Sequence, residues 1–118
     1  MSNGSIYDRT DALHRLDGDE ELLATVAQLF IDEHGNYCVG LENALAAGDA
    51  AALRREAHSA KSMLATFSYA AGQALAFELE TKAATGDLST APELASRVIA
   101  AIHELVAALR SDFGRSDG

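Results

Sequence analysis

Seven aliphatic residues near the C-terminus, Leu94, Val98, Ile99, Ile102, Leu105, Val106 and Leu109, recur at i, i+3, i+4 spacing, and they constrain the fold more than any other feature of the chain. A stripe that wide predicts a long helix presenting a full wall of a hydrophobic core, and such a wall is covered only by other helices of comparable length. Composition points the same way. Aromatic residues make up 6% of the chain, tryptophan is absent and Pro92 is the single proline, while alanine, leucine and glutamate are abundant.

The partners of that helix are legible from caps and stripes. Asp8 caps a short helix through Leu13 and Leu16 that ends at Asp17-Gly18 and lids one end of the assembly. Asp19, with Glu20 and Glu21 on the positive end of a helix dipole, starts a longer helix that carries Leu22, Val26, Leu29, Phe30, Tyr37, Leu41 and Leu45 and runs toward Ala47. Gly35 and Gly40 interrupt it, each at a cost of up to about 1 kcal/mol relative to alanine. A kink near His34 to Asn36, or two helices nearly in line, is expected. Ala47-Gly48-Asp49 ends that helix and caps the next, which reaches about Phe67; Ser68 is the expected cap of a third, carrying Leu75 and Leu79 and closing at Thr85-Gly86-Asp87. A loop containing Pro92 then leads to the final helix. The expected fold is all-α: an antiparallel up-and-down four-helix bundle with a short additional N-terminal helix. One domain over residues 8–113 is expected, with flexible tails at 1–7 and 114–118.

Bulk properties narrow the function. A formal net charge of −9, with no basic run, argues against nucleic-acid binding. Cys38 is the only cysteine, so an intramolecular disulfide is excluded, in keeping with a reducing compartment; it is expected to be a small packed hydrophobe. No stretch reads as a signal peptide or reaches the roughly 18 apolar residues that a membrane span needs, so no membrane association and a cytoplasmic location are expected.

The chemistry concentrates in Ala57-His58-Ser59-Ala60-Lys61-Ser62. On a wheel of 100° per residue, Leu53, Ala57, Ala60, Leu64 and Phe67 fall within about 40° of one direction, and His58 lies roughly 140° from it. The imidazole is therefore expected to face solvent, with Lys61, Ser62, Arg54 and Ala65 on its side of the helix. Between residues 51 and 67, Arg54, Arg55 and Lys61 outnumber the single acid Glu56, a local positive excess suited to an acidic partner surface. A wet histidine beside a cation, among small neighbours, suits a group that a second protein must reach and that briefly carries an anion. His14, His34 and His103 lack a partner pattern of their own. No intrinsic metal site is expected, because a bundle metal site wants repeated Glu-x-x-His motifs and the nearest approach is Asp11-x-x-His14.

Over roughly residues 8 to 88 the chain resembles a histidine-containing phosphotransfer (HPt) domain of bacterial multistep phosphorelays. The resemblance rests on Leu16-Asp17-Gly18-Asp19 with Glu21-Leu22, the Ala47-Gly48-Asp49 turn, Ala57-His58 with Lys61 three residues on, and Leu79-Glu80 downstream. The chain departs from the family pattern at Ala60, where a hydrophobic residue is usual, and at Ser62, where glycine is usual. It departs again at Ser68-Tyr69, in place of a Gly-Ala pair, and at Gly72, in place of a leucine. The departures bear on partner choice more than on phosphoryl acceptance.

The resemblance implies a relay intermediate without kinase activity of its own. His58 would accept a phosphoryl group from a receiver-domain phospho-aspartate and pass it to another response regulator; a hybrid sensor histidine kinase would stand upstream. Lys61 would offset the charge of the transferred group, and Arg54, Arg55, Ser62 and Ala65 would contact the partner. Glu80, from the facing helix, would either accept a proton from the imidazole or simply face solvent, since a carboxylate close to a phosphohistidine would also repel it. No intrinsic cofactor is implied, because Mg²⁺ would sit on the receiver. A monomer suffices, and Met1 directly before the domain suggests a free-standing shuttle. A different class of reading stands beside this one: a non-phosphorylated helical module that binds and regulates a kinase or receiver. A third, a metal-binding bundle, would show stoichiometric metal.

Overall fold

Three of the four long helices owe their start or their stop to a capping side chain or to a left-handed glycine. The computed structural model describes residues 6–114, which form five helices: α1 (Arg9–Arg15), α2 (Glu20–Ala47), α3 (Ala50–Thr66), α4 (Ala70–Thr85) and α5 (Ala91–Phe113). Among the described residues there is no strand. Of the tails expected at residues 1–7 and 114–118, residues 1–5 and 115–118 lie outside the described residues. Asp8, Asp19 and Asp49 cap α1, α2 and α3, each accepting a hydrogen bond from the backbone N–H three residues on. Gly48, in the left-handed conformation, returns its N–H to the end of α2.

Helices α2, α3, α4 and α5 pack as a ring in which each touches its chain neighbour and α5 closes onto α2. The short connections force neighbours to run antiparallel. The all-α bundle with an extra N-terminal helix is thus the observed fold. Its core is contributed by every helix and includes Phe30, Phe67, Leu23, Leu41, Leu53, Leu64, Leu79, Val98, Ile102, Leu105 and Leu109, all essentially inaccessible to solvent. Six of the seven α5 stripe residues are buried and Ile99 is half-buried. No helix of the described residues is long and apolar enough to cross a membrane.

Three expectations are corrected. The kink or break expected near His34 to Asn36 is absent: α2 is one unbroken helix of 28 residues. Gly40 faces α3, where a Cβ would meet the Glu56 carboxylate, the movable end of a flexible side chain. Ser68 does not cap α4. It has φ +53° and turns its hydroxyl to the Asp11 carboxylate, while the Arg15 Nε donates to its Oγ at 3.1 Å; Tyr69 takes the cap position without a side-chain bond. Pro92 is not in a loop but within the first turn of α5, where its missing N–H costs nothing.

The N-terminal segment belongs to the bundle from Tyr7 onward. Tyr7, assigned to the tail by the sequence reading, is 3% exposed, meets the Phe67 ring edge-on and donates from its hydroxyl to Asp112 at the end of α5. Asp8 N–H donates to the Ser68 carbonyl at 3.2 Å. Arg9 pairs with Glu20 at 3.6 Å and lies 4.6 Å from the centre of the Phe113 ring. Helix α1 therefore lids one end of the bundle, tied to α2, α5 and the α3–α4 corner.

Candidate functional site

The placement of His58 follows from what α3 buries. Leu53, Ala57, Ala60 and Leu64 point into the core, and the imidazole, on the opposite side, keeps 59% of its side-chain surface in solvent. Across from it, on α4, stands Glu80, whose side chain is only 16% exposed. The His58 Nδ1 lies 2.9 Å from Glu80 Oε2, and the Lys61 Nζ lies 2.7 Å from Glu80 Oε1. One carboxylate thus meets both candidate side chains of the neighbouring helix. The spacing makes this possible, because His58 and Lys61 are three residues apart and so share a face.

Glu80 is ionised in this setting. Lys61 is the largest influence drawing its carboxyl below the usual value of 4.5, the hydrogen bond from His58 acts in the same direction, and desolvation opposes both. An ionised carboxylate only accepts, so Nδ1 of His58 must be the nitrogen that carries the proton. In the neutral ring the lone pair is then on Nε2. Of the two expectations for Glu80, contact with the imidazole is the observed one.

A folded-state value below that of the unfolded chain contributes stability that is present above about pH 4.5 and lost as pH falls through the depressed value. Glu80→Gln is accordingly expected to lower stability by about 1 kcal/mol at pH 7. Urea midpoints of variant and wild type should converge at pH 3. Equal midpoints already at pH 7 would mean that the ion pair adds nothing.

Lys61 is engaged rather than free. Its side chain is 23% exposed, and besides Glu80 its ammonium faces the Phe77 ring, 5.1 Å from the centroid. Phe77, on α4 and 57% exposed, is a residue the sequence reading missed. A signal was available: Leu75 and Leu79 lie inward, and a residue two positions from each falls 200° away on the wheel, so an aromatic there is off the stripe. Arg54, Arg55 and Ser62 are exposed and Ala65 is half-buried. Among the described residues neither arginine has an ion-pair partner. Gly72, the departure on α4, is buried under Tyr69, where a Cβ would come within 3.0 Å of the ring.

The other histidines stand apart from this face. His14 is exposed on α1, and His34 and His103 face each other across α2 and α5. Cys38 is 7% exposed, packed as expected, with its Sγ 3.6 Å from His103 Nε2.

The profile of the Hpt domain family matches residues 25–112, about three quarters of the chain. The crystal structure of histidine-containing phosphotransfer protein B from Pseudomonas aeruginosa PAO1 superposes with a TM-score of 0.84 over 93% of this chain and 96% of that one, at 24% sequence identity, which speaks to a shared fold. No curated protein matches the chain.

Proposed function

Because the chain belongs to the Hpt domain family, whose members carry phosphoryl groups between signalling proteins, we propose that His58 is its phospho-acceptor. The observation that carries this reading is the hydrogen bond from Nδ1 of an exposed His58 to a carboxylate, which leaves Nε2 as the nucleophile. Nε2 attacks the phosphorus of a phospho-aspartate on a receiver domain. The N–P bond forms as the P–O bond to the aspartyl carboxylate breaks, and that carboxylate leaves with the electron pair. The ring becomes positive in this step, and Glu80, on the Nδ1 side and away from the phosphoryl group, offsets that charge. Reversal onto a second receiver discharges the protein.

Lys61 steadies Glu80 and, at the edge of the site, offsets charge on the phosphoryl oxygens. The acidic cluster and Mg²⁺ that phosphoryl transfer calls for come from the receiver, and the chain has no kinase activity of its own. Arg54, Arg55, Ser62 and Ala65 form the docking surface together with Phe77, an exposed aromatic that the Lys61 ammonium faces. Such a surface fits the acidic pocket of a receiver, in keeping with a local positive excess on a chain of net charge −9. The upstream partner is a hybrid sensor histidine kinase, and the protein works as a cytoplasmic monomer.

The test is transfer from a phosphorylated receiver domain to the purified chain. Acid-labile, base-stable label on this protein, mapped to His58, is the expected outcome. Several receivers that bind yet leave no label would overturn the reading in favour of a non-phosphorylated regulator. Ser62→Trp is expected to slow transfer at limiting protein by steric exclusion while leaving the fold intact, since Ser62 is exposed. Unchanged transfer kinetics would remove Ser62 from the docking surface.

A further inference from the structure

The cation that the resemblance assigns to the transferred group, Lys61, is already engaged elsewhere. Its Nζ is 2.7 Å from Glu80 Oε1 and 5.1 Å from the centre of the Phe77 ring, and its side chain keeps only 23% of its surface in solvent. Glu80 in turn meets Nδ1 of His58 at 2.9 Å. Lys61 is therefore anchored on the Nδ1 side of the imidazole, whereas a phosphoryl group would sit on Nε2, at the other side of the ring. Drawing Lys61 across to Nε2 would take from Glu80 the influence that most keeps it ionised.

Arg54 carries no such commitment. It lies four residues before His58, one turn along the helix and about 40° round it, a spacing that brings Cβ atoms to about 5–6 Å. Helical side chains lean toward the N-terminus, so the His58 ring covers the turn that holds Arg54. The Arg54 side chain is exposed, and among the described residues it has no ion-pair partner. Arg55, three residues before His58, is also exposed but lies about 60° round the helix in the opposite sense, on the side away from Lys61 and α4. A guanidinium presents paired N–H donors that match two oxygens of a phosphoryl group, which an ammonium does not. Resting on His58 as the phospho-acceptor, we propose that Arg54 is a further catalytic residue of the site, its guanidinium binding two oxygens of the phosphoryl group on Nε2, and that Lys61 is a positioning residue acting chiefly through Glu80. The work is then divided by charge. Glu80 meets the ring as it becomes positive, Arg54 meets the negative phosphoryl group, and Lys61 reaches that group only as charge at a distance.

The experiment is phosphorus NMR of the full chain phosphorylated with phosphoramidate alone. Nε2 attacks its phosphorus as the bond to the departing ammonia breaks, so neither receiver nor Mg²⁺ is required. The phosphoryl group titrates from monoanion to dianion, and a cation in contact with it favours the dianion. Arg54→Gln should therefore raise the midpoint of the phosphorus-shift titration, by about 0.15–0.7 pH units for a contact of the strength usual for exposed ion pairs. Arg54→Lys, which keeps the charge and loses the fork, should raise it less, and so should Lys61→Met and Arg55→Gln. Because Arg54 is exposed, the urea midpoint of Arg54→Gln should stay at the wild-type value, which separates a contact with the phosphoryl group from a role in the fold. With phosphate on His58, a titration unmoved in Arg54→Gln, or moved more in Lys61→Met or Arg55→Gln, would overturn the proposal and leave the acceptor reading standing. A chain that takes no phosphoryl group at His58 would overturn both.

Discussion

His58→Gln is expected to reduce phosphoryl acceptance to background while changing stability by no more than about 0.5 kcal/mol. The two halves of this prediction rest on different atoms. Acceptance needs the Nε2 lone pair, which an amide does not supply as a nucleophile. Stability needs only what His58 gives the fold, and with 59% of its side chain in solvent that is chiefly the hydrogen bond to Glu80. The glutamine NH₂ can donate in its place, so the carboxylate keeps both of its helix α3 partners. Rate of label uptake and a urea titration, taken on the same preparation, check both. Label at the wild-type rate would move the acceptor to another histidine; His14 and His103, both exposed, would be next to mutate. Loss of folding would mean that the imidazole is structural.

Phe67→Ala is expected to be the most destabilising of the substitutions considered, by about 3–5 kcal/mol, out of the roughly 5–15 kcal/mol typical of a domain. The ring is fully buried at the C-terminal end of α3 and is shared by two others, Phe30 on α2 at 5.7 Å and Tyr7 at 6.3 Å between centroids. Tyr7 brings its bond to Asp112 with it. Removing Phe67 therefore opens a cavity where α2, α3, the lid helix and the end of α5 meet, and the melting temperature should fall by more than about 10 °C. A loss under about 1 kcal/mol would show that the aromatic cluster repacks without it. Below its transition the variant should still accept phosphoryl groups, since His58, Lys61 and Glu80 lie on the outer face of the α3–α4 pair.

What was legible in the sequence divides along physical lines. The caps at Asp8, Asp19 and Asp49 and the turn at Gly48 are local chemistry, decided within three residues of the position, and they appear where expected. The outward direction of His58 follows from the phase of one apolar stripe. The expected kink in α2 failed because glycine propensity is a small cost that tertiary packing overrides, and the packing partner of Gly40, Glu56, sits on a different helix. Ser68 failed for a related reason: its hydroxyl, a plausible cap for the following helix, is taken by Asp11 and Arg15 more than 50 residues away. Pro92 reads equally well as a loop residue or a first-turn residue, and only the chain beyond it decides. At the functional site, which of two readings applied to Glu80 depended on the register of α4 against α3, a quantity set by packing and invisible to periodicity. The Lys61–Glu80 pair depends on the same register, whereas the exposure of Phe77 follows from the phase of the α4 stripe.

That register makes the site a property of one helical hairpin. The proposed nucleophile, the cation, the carboxylate and the aromatic beside them lie within two consecutive helices joined by a connection of three residues, 67–69. Helices α2 and α5 act as a backing plate: they fix the hairpin's shape through the core and contribute no side chain to the His58, Lys61, Glu80 and Phe77 cluster. On the proposed function, relay reaction and scaffold would be separately heritable: sequence drift on the outer surfaces of the backing pair would cost transfer only what it costs in stability, while drift on the hairpin's outer face would retune which partner is recognised.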